Sequence, residues 1–422
     1  MSSLLINNVR IYNRDEQIDC LVVDGKIKQL EPKIDKRKAE KVIDANGLTM
    51  IPGGIDIHVH FRVPGNEEKE DWKTGSAAAL AGGITTVMDM PNNSPSIITA
   101  ALLKKKIALA KKDSKIDFGC YIAITKDNLL EIEAAKLIAC GVKVYYGSTT
   151  GDILMNDLDT LRALFELDLP IPILIHAEDE NMIEFNRAEL KDYDGVDIHE
   201  KIRSREAAIK ALETIIPLVQ ETTGHAHITH ISTADELELM KQAKDDGINI
   251  TCDTAPHYLA FTEEDVAKKG HLLKVNPPIR TQADVDALWA GLADGSIDVV
   301  ASDHAPHLLK EKQIENYNDV PSGLPGVQTI LPFLLDNISD EFSLDRLVEV
   351  ISSRPADMFK LENKGKIDIG ATADLVLFDD SKPTKITNKA MKSKCGWTPW
   401  DKQTFATSIE YVIKGGKVSF SL

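Results

Sequence analysis

The stretch that decides the fold is LTMIPGGIDIHVHFR, residues 48–62. Its first ten residues are apolar and glycine-bearing, the composition of chain entering a strand buried on both faces, as in a parallel sheet. His58 and His60 follow, two residues apart. Strand side chains alternate between faces, so both imidazoles share one face and can grip a single ion. An isolated H-x-H pair is a weak signal, because buried histidines are commonly hydrogen-bonded for structural reasons alone.

Repetition downstream strengthens the signal. Residues 171–176 and 226–230 are again short, largely apolar runs that end in His176 and His230, and residues 298–303 end in Asp303. Polar, metal-type residues recurring at strand C-termini are what a (β/α)8 barrel requires, since its active site is assembled at that rim from several strands. Eight strands are predicted, near residues 55–60, 85–90, 116–124, 142–146, 171–176, 226–231, 249–255 and 298–303. Helical periodicity is predicted over 71–81, 98–111, 128–138, 158–167, 205–221, 233–246 and 284–292. This alternation argues for an α/β fold, a TIM-type barrel with helical crossovers.

The 422 residues exceed one ordinary domain but suit a barrel with a small accessory module. Short strand-like segments broken by Asp24-Gly25 and Asn46-Gly47 turns precede the barrel, and similar material follows residue 365. The two ends are expected to pair into a β-sandwich of residues 1–51 and 362–422, leaving 52–361 as the catalytic barrel.

A formal charge of −17 argues against a nucleic-acid partner, whose phosphates need a basic face. No stretch of 18 apolar residues and no basic-then-apolar leader occurs, so neither a membrane partner nor secretion is expected, and the cytoplasm is the default. Five cysteines, Cys20, Cys120, Cys140, Cys252 and Cys395, lack C-x-x-C spacing and read as thiols of a reducing compartment.

Further motifs stand in order along the chain: Met90-Pro91-Asn92, Gly141-Val142-Lys143, Lys274-Val275-Asn276-Pro277-Pro278, Ser302-Asp303-His304-Ala305-Pro306-His307, Gly323-Leu324-Pro325-Gly326 and Lys394-Cys395-Gly396-Trp397. With His58-Val59-His60-Phe61-Arg62, His176 and His230, the pattern resembles the dihydroorotase branch of the amidohydrolase superfamily over nearly the whole chain. The resemblance implies two zinc ions, one on His58, His60 and Asp303 and the other on His176 and His230. They would be bridged by a hydroxide and by Lys143, which must then be carboxylated, because an ammonium cannot ligate a cation. Lys143 sits among apolar residues on a predicted interior strand, where an unpaired charge is costly. Asp152 is the rival for the bridge.

The implied reaction is the reversible cyclisation of N-carbamoyl-L-aspartate to L-dihydroorotate in de novo pyrimidine biosynthesis. Two cations make hydroxide available at neutral pH, and Asp303 is expected to carry the proton between that water and the leaving ring nitrogen. Arg62, two residues beyond the H-x-H, shares its strand face and offers a bidentate fork to the ring carboxylate, with Asn92 beside it. By resemblance His307 contacts the same carboxylate, Asn276 bonds the ring, and residues 321–326 lend backbone groups. Val63 stands where the family usually has an acid, and Glu67, Glu68 or Glu70 is a candidate to replace it in orienting Arg62.

The small-molecule substrate is the only partner implied directly; a homodimer and association with a transcarbamoylase stay open. Two other readings also stay open, a related hydrolase of allantoin, hydantoin or dihydropyrimidine and a silent scaffold. The filled set of six ligand positions argues against silence. His225, His227, His257, His271 and His304 read as structural, and the charged segment 308–320 reads as a long loop able to act as a lid.

Overall fold

The apolar lead-in forms strand β1, Gly54–Val59, buried at every residue. A computed structural model describes residues 2–422 apart from Thr150, Asp152, Asp168, Asp194, Val196 and Thr223. In it β1 pairs in parallel with β2, Ile84–Asp89, which pairs with β3, Asp117–Cys120. After Tyr121 that third strand continues as Ile122–Ala123 and pairs with β4, Val142–Tyr145. β5, Ile173–His176, β6, Ala226–Ile228, β7, Ile250–Thr254, and β8, Val299–Val300, follow in parallel order.

The ring closes just beyond β8. Val59 and His304 form a parallel bridge, with His60 N donating to the His304 carbonyl at 2.8 Å. The barrel is filled rather than open. Ile55, Ile57, Met88, Tyr121, Leu174 and Val299 pack in one interior cluster, and the Tyr121 hydroxyl donates across it to the Ile57 carbonyl at 2.9 Å.

Helices cover the outside, among them Trp72–Ala81, Ala100–Asp113, Leu158–Glu166, Arg205–Glu221 and Ala234–Asp245. Several start at side-chain caps that satisfy otherwise orphaned N–H groups. Asp71, Thr99 and Asp157 each accept from a first-turn N–H, and Thr233 forms a capping box with Glu236. Two further helices, Glu180–Glu189 and Ile198–Ile202, lie between β5 and Arg205–Glu221. Their apolar positions are few and feed a small satellite cluster around Ile183, Ile198, Ile202 and Ala207, which leaves little periodicity to read.

Strands from both ends of the chain build one mixed sheet. Its order is Lys417–Ser421, Ser408–Lys414, Leu375–Asp379, Thr49–Pro52, Ser3–Ile11, Gln17–Val23 and Lys26–Glu31, with Lys41–Asp44 also on Ser3–Ile11. Leu4, Ile6, Val9, Met50, Leu375 and Ile413 lie in its core. The architecture is therefore a (β/α)8 barrel beside a β-sandwich made by the two termini. Thr49–Pro52 runs antiparallel to Leu375–Asp379 and turns into β1 one residue later. Gly53 makes that passage tight, since a Cβ there would lie 2.4 Å from Thr85 Oγ1.

Among the described residues no helix is long and apolar enough to cross a membrane. All five cysteines are free. Segment 308–320 is more structured than a bare loop, with a helical turn at Leu309–Lys312 and a 3-10 turn at Tyr317–Asp319.

Directly behind the end of β1, Phe61 meets Trp72 edge-on at 5.1 Å, and Trp72 packs on Phe118 at the same distance. Trp72 is 1 % exposed and anchors its helix to the barrel. Trp72→Ala is expected to destabilise the protein by about 3–5 kcal/mol, the usual result of emptying a large aromatic site. The shift of the denaturation midpoint measures it.

Candidate metal centre

β1 delivers His58 and His60 to the barrel rim, and the segment after β8 brings Asp303 to meet them. Asp303 Oδ1 lies 3.3 Å from His58 Nε2 and 3.2 Å from His60 Nε2. Among the described residues this buried trio is the one group of three His, Cys, Asp or Glu side chains that could hold a metal ion, with ligand atoms within 4.8 Å of one another. The pair from β5 and β6 adjoins it. His176 Nδ1 faces His230 Nε2 at 3.0 Å, and the His58 and His230 ring centroids are 5.4 Å apart.

Lys143 rises from β4 and donates to Thr229 Oγ1 at 3.0 Å. Fully buried, its amine is pulled down to about 7 by desolvation, against the opposing charges of Asp253 and Asp303. These six side chains line one cavity together with Arg62, Asn92, Asn276, Tyr145, Thr149, Ser322 and Gly323. Asp152 lies outside the described residues.

The donor set fits a divalent metal. Burial, ahead of every other influence, holds the imidazoles of His58, His60, His176 and His230 below their usual range, which keeps them neutral with a lone pair to give. Imidazole nitrogen and carboxylate oxygen are ligands of the kind zinc takes. His58 Nδ1 and His230 Nδ1 are buried and, among the described residues, have no hydrogen-bond partner.

Three cavity residues occupy left-handed backbone unfavourable to side-chain-bearing residues: Arg62 at φ 63°, His230 at φ 42° and Asp303 at φ 42°. Buried carboxylates tie these segments down. Asp89 Oδ1 accepts from Phe61 N at 2.6 Å, and Asp253 Oδ1 accepts from His230 N at 2.6 Å. Asp56 Oδ1 accepts from both Ser302 N, at 3.0 Å, and His58 N, at 3.2 Å.

Two of these carboxylates have adjacent countercharges or hydrogen-bond partners. Lys106 Nζ lies 2.5 Å from Asp89 Oδ2, and His227 Nε2 lies 2.8 Å from Asp253 Oδ2. Asp56 is instead pushed up to about 7 by desolvation. Glu178 does the comparable work for an imidazole, accepting from His176 Nε2 at 2.8 Å while paired with Arg203. Desolvation opposes its ionisation, but Arg203 and His176 prevail and hold the carboxyl at about 2. A carboxylate behind a ligating histidine fixes its tautomer and orientation.

Arg62 is held by neutral groups. Its Nε donates to the Pro306 carbonyl at 3.2 Å, and Nη2 lies 3.3 Å from His307 Nε2. Among the described residues no carboxylate pairs with it. Glu70 is committed to His304 at 3.3 Å, to Ser393 and to Lys394 N, while Glu67 accepts from Gly65 N at 2.9 Å and Glu68 is exposed. Among the described residues none of the three meets Arg62, so the substitute expected for an acid at Val63 is not found there. Asn92 Oδ1 meets His60 Nδ1 at 2.7 Å, so this side chain touches a candidate ligand as well as the cavity.

Asp56, Asp89, Asp253 and Glu178 escaped the sequence reading of the site. Their signal is nevertheless present, as a lone acid in an apolar strand (residues 56, 89 and 253) and as the H-x-E step His176-Ala177-Glu178. His304, expected to be structural, bridges Glu70 to the N–H groups of Gly326 and Val327 at 3.1 and 3.4 Å.

Comparison with known proteins places the chain in a family. A model of the amidohydrolase family matches residues 49–419. A dihydroorotase of Methanosarcina acetivorans is 35 % identical over 99 % of this chain and 92 % of its own length. One from Caldicellulosiruptor saccharolyticus is 36 % identical over 98 % of both. Among solved structures, the L-hydantoinase (dihydropyrimidinase) of Arthrobacter aurescens superposes with a TM-score of 0.95 at 28 % identity, covering 100 % of this chain and 96 % of that one.

The Lys143 amine binds its proton less tightly in the folded chain, at about 7, than at its ordinary value of 10.5. Below about 7 both folded and unfolded states carry the proton; between about 7 and 10.5 only the unfolded chain does, so folded stability rises with pH in that window. In metal-free protein the melting temperature of the wild type is therefore expected to climb relative to Lys143→Met between pH 7 and 10. Parallel curves would show that the amine is not held in this way.

Proposed function

The chain belongs to the amidohydrolase family as a dihydroorotase-like member, and from that premise we propose that it is a zinc-dependent dihydroorotase, converting N-carbamoyl-L-aspartate and L-dihydroorotate into one another in pyrimidine synthesis. The observation that carries this reading is the juxtaposition of a buried guanidinium, Arg62, with the His58, His60 and Asp303 group in one cavity. Dihydroorotate offers a carboxylate to the first and an amide bond to the second.

In this reading His58, His60 and Asp303 would hold one ion and His176 and His230 another, and Lys143, once carboxylated, would supply a carboxylate to both. The depressed amine of Lys143 supports the last assignment, because only a neutral amine can attack carbon dioxide. When bound, the metals supply hydroxide at neutral pH and polarise the scissile carbonyl.

The chain's own groups do the rest. Asp303 takes the proton from the attacking water and returns it to the departing ring nitrogen, and the same group acts in reverse during cyclisation. Arg62, with His307 at its side, clamps the ring carboxylate. Asn92 stands beside Arg62 at the carboxylate, Asn276 bonds the ring, and Glu178 and Asp253 keep His176 and His230 aimed inward. We also assign residues 1–51 and 362–422 to the sandwich domain and 52–361 to the barrel, with the reaction in the cytoplasm.

The likeness to hydantoinases favours a second reading, hydrolysis of a cyclic ureide without a ring carboxylate. Arg62→Ala separates the two. A dihydroorotase should lose about ten- to hundred-fold in kcat/KM for dihydroorotate, the worth of a charged hydrogen bond, at unchanged metal content. Wild-type turnover of hydantoin or dihydrouracil but not dihydroorotate would select the other reading. Asp303→Asn is expected to lower kcat by about 10²–10⁴-fold or more, as loss of a proton carrier does. Lys143→Ala should lose metal, measured by elemental analysis, and recover part of its activity with added short carboxylic acids.

A further inference from the structure

Lys312 ends the helical turn that opens segment 308–320, yet it is only 1 % exposed. Its ammonium donates to three backbone carbonyls: Lys274 at 2.9 Å, Pro321 at 2.9 Å and Gly323 at 3.0 Å. Three donors thus meet three acceptors, and among the described residues no carboxylate pairs with the group. Burying an ammonium without a counter-ion is unfavourable, and a methionine of similar length would fill the space without that penalty. The charge is therefore retained for what it holds.

What it holds is one wall of the cavity. Val275 and Asn276, next to the Lys274 carbonyl, line the cavity, as do Ser322 and Gly323. Pro321 and Gly323 flank Ser322, whose carbonyl lies 3.1 Å from His307 Nε2, the nitrogen that also meets Arg62. Gly323 N returns to the Lys274 carbonyl at 2.9 Å, joining the two segments. Without a cation between them, three carbonyl dipoles would converge on an empty point and repel.

We propose that Lys312 is a positioning residue for substrate, an internal cation that pins the backbone of residues 274–276 and 321–323 so that Asn276, Ser322 and the His307–Arg62 pair face the ring. Burial, followed by the nearby Lys274, works against the charged form of the amine, whereas the three carbonyl acceptors work for it, since a neutral amine has only two N–H groups to give. The inference rests on the substrate reading of the cavity, but the placement of the wall can be measured apart from it.

The test uses the full-length, metal-loaded enzyme and the variants Lys312→Met and Lys312→Gln. In Lys312→Met, KM for dihydroorotate should rise at least ten-fold, with kcat changed less than three-fold and metal content unaltered. Lys312→Gln, which keeps two N–H donors, should recover most of that loss. Hydrogen–deuterium exchange should quicken in peptides spanning 274–276 and 321–323 and stay unchanged at 54–60. Wild-type exchange at both segments would overturn the proposal whatever the activity, as would a Lys312→Met KM within two-fold of wild type. If Lys312→Met does not fold, Lys312→Gln decides, with a smaller rise in KM and faster exchange expected and wild-type values overturning the proposal. Wild-type enzyme inert toward dihydroorotate would remove the substrate reading alone, leaving the exchange comparison to decide the role of Lys312.

Discussion

The structure depends on the fixing of strained chain ends by buried carboxylates. A barrel rim offers eight strand termini and no regular hydrogen bonding beyond them, so side chains that must converge there need their backbones tied from the side. Asp56, Asp89 and Asp253 do this by accepting N–H groups of the segments that carry His58, Arg62 and His230. The left-handed backbone at Arg62, His230 and Asp303 persists because these contacts and the surrounding packing over-determine it. Mispaired, each aspartate would be a liability; Lys106 and His227 answer two of them, and burial pushes the Asp56 carboxyl up to about 7.

Charge is organised in layers around the cavity. Neutral imidazoles and Asp303 face inward, carboxylates such as Glu178 and Asp253 stand behind the histidines, and Arg203, His227 and Lys106 stand behind those. On the opposite wall the order changes, with Arg62 and Lys312 held by carbonyls and imidazole rather than by acids. A fully neutralised guanidinium would attract an anionic ligand weakly, whereas one held by dipoles keeps its charge available for a carboxylate.

The parts legible in the sequence were those with a period. Strands β1 to β8 and the larger helices announce themselves through apolar runs and helical spacing, and His58, His60, His176, His230 and Asp303 do so by closing such runs. Helices Glu180–Glu189 and Ile198–Ile202 were not legible because they bury so little. The supporting acids were hidden for a different reason: a single aspartate inside an apolar strand looks like noise until the neighbouring strand shows which N–H group it meets. Lys312 was masked by its setting, a charged stretch that reads as solvated, and only the three carbonyls around it disclose an interior group.

The antiparallel pairing of Thr49–Pro52 with Leu375–Asp379 bears on how the chain is made. The first ligand-bearing strand emerges early in synthesis, but the edge leading into it stays open until more than three hundred further residues have been added. A ribosome-bound chain therefore carries an exposed, aggregation-prone border for most of its elongation, and a C-terminally shortened product keeps it permanently.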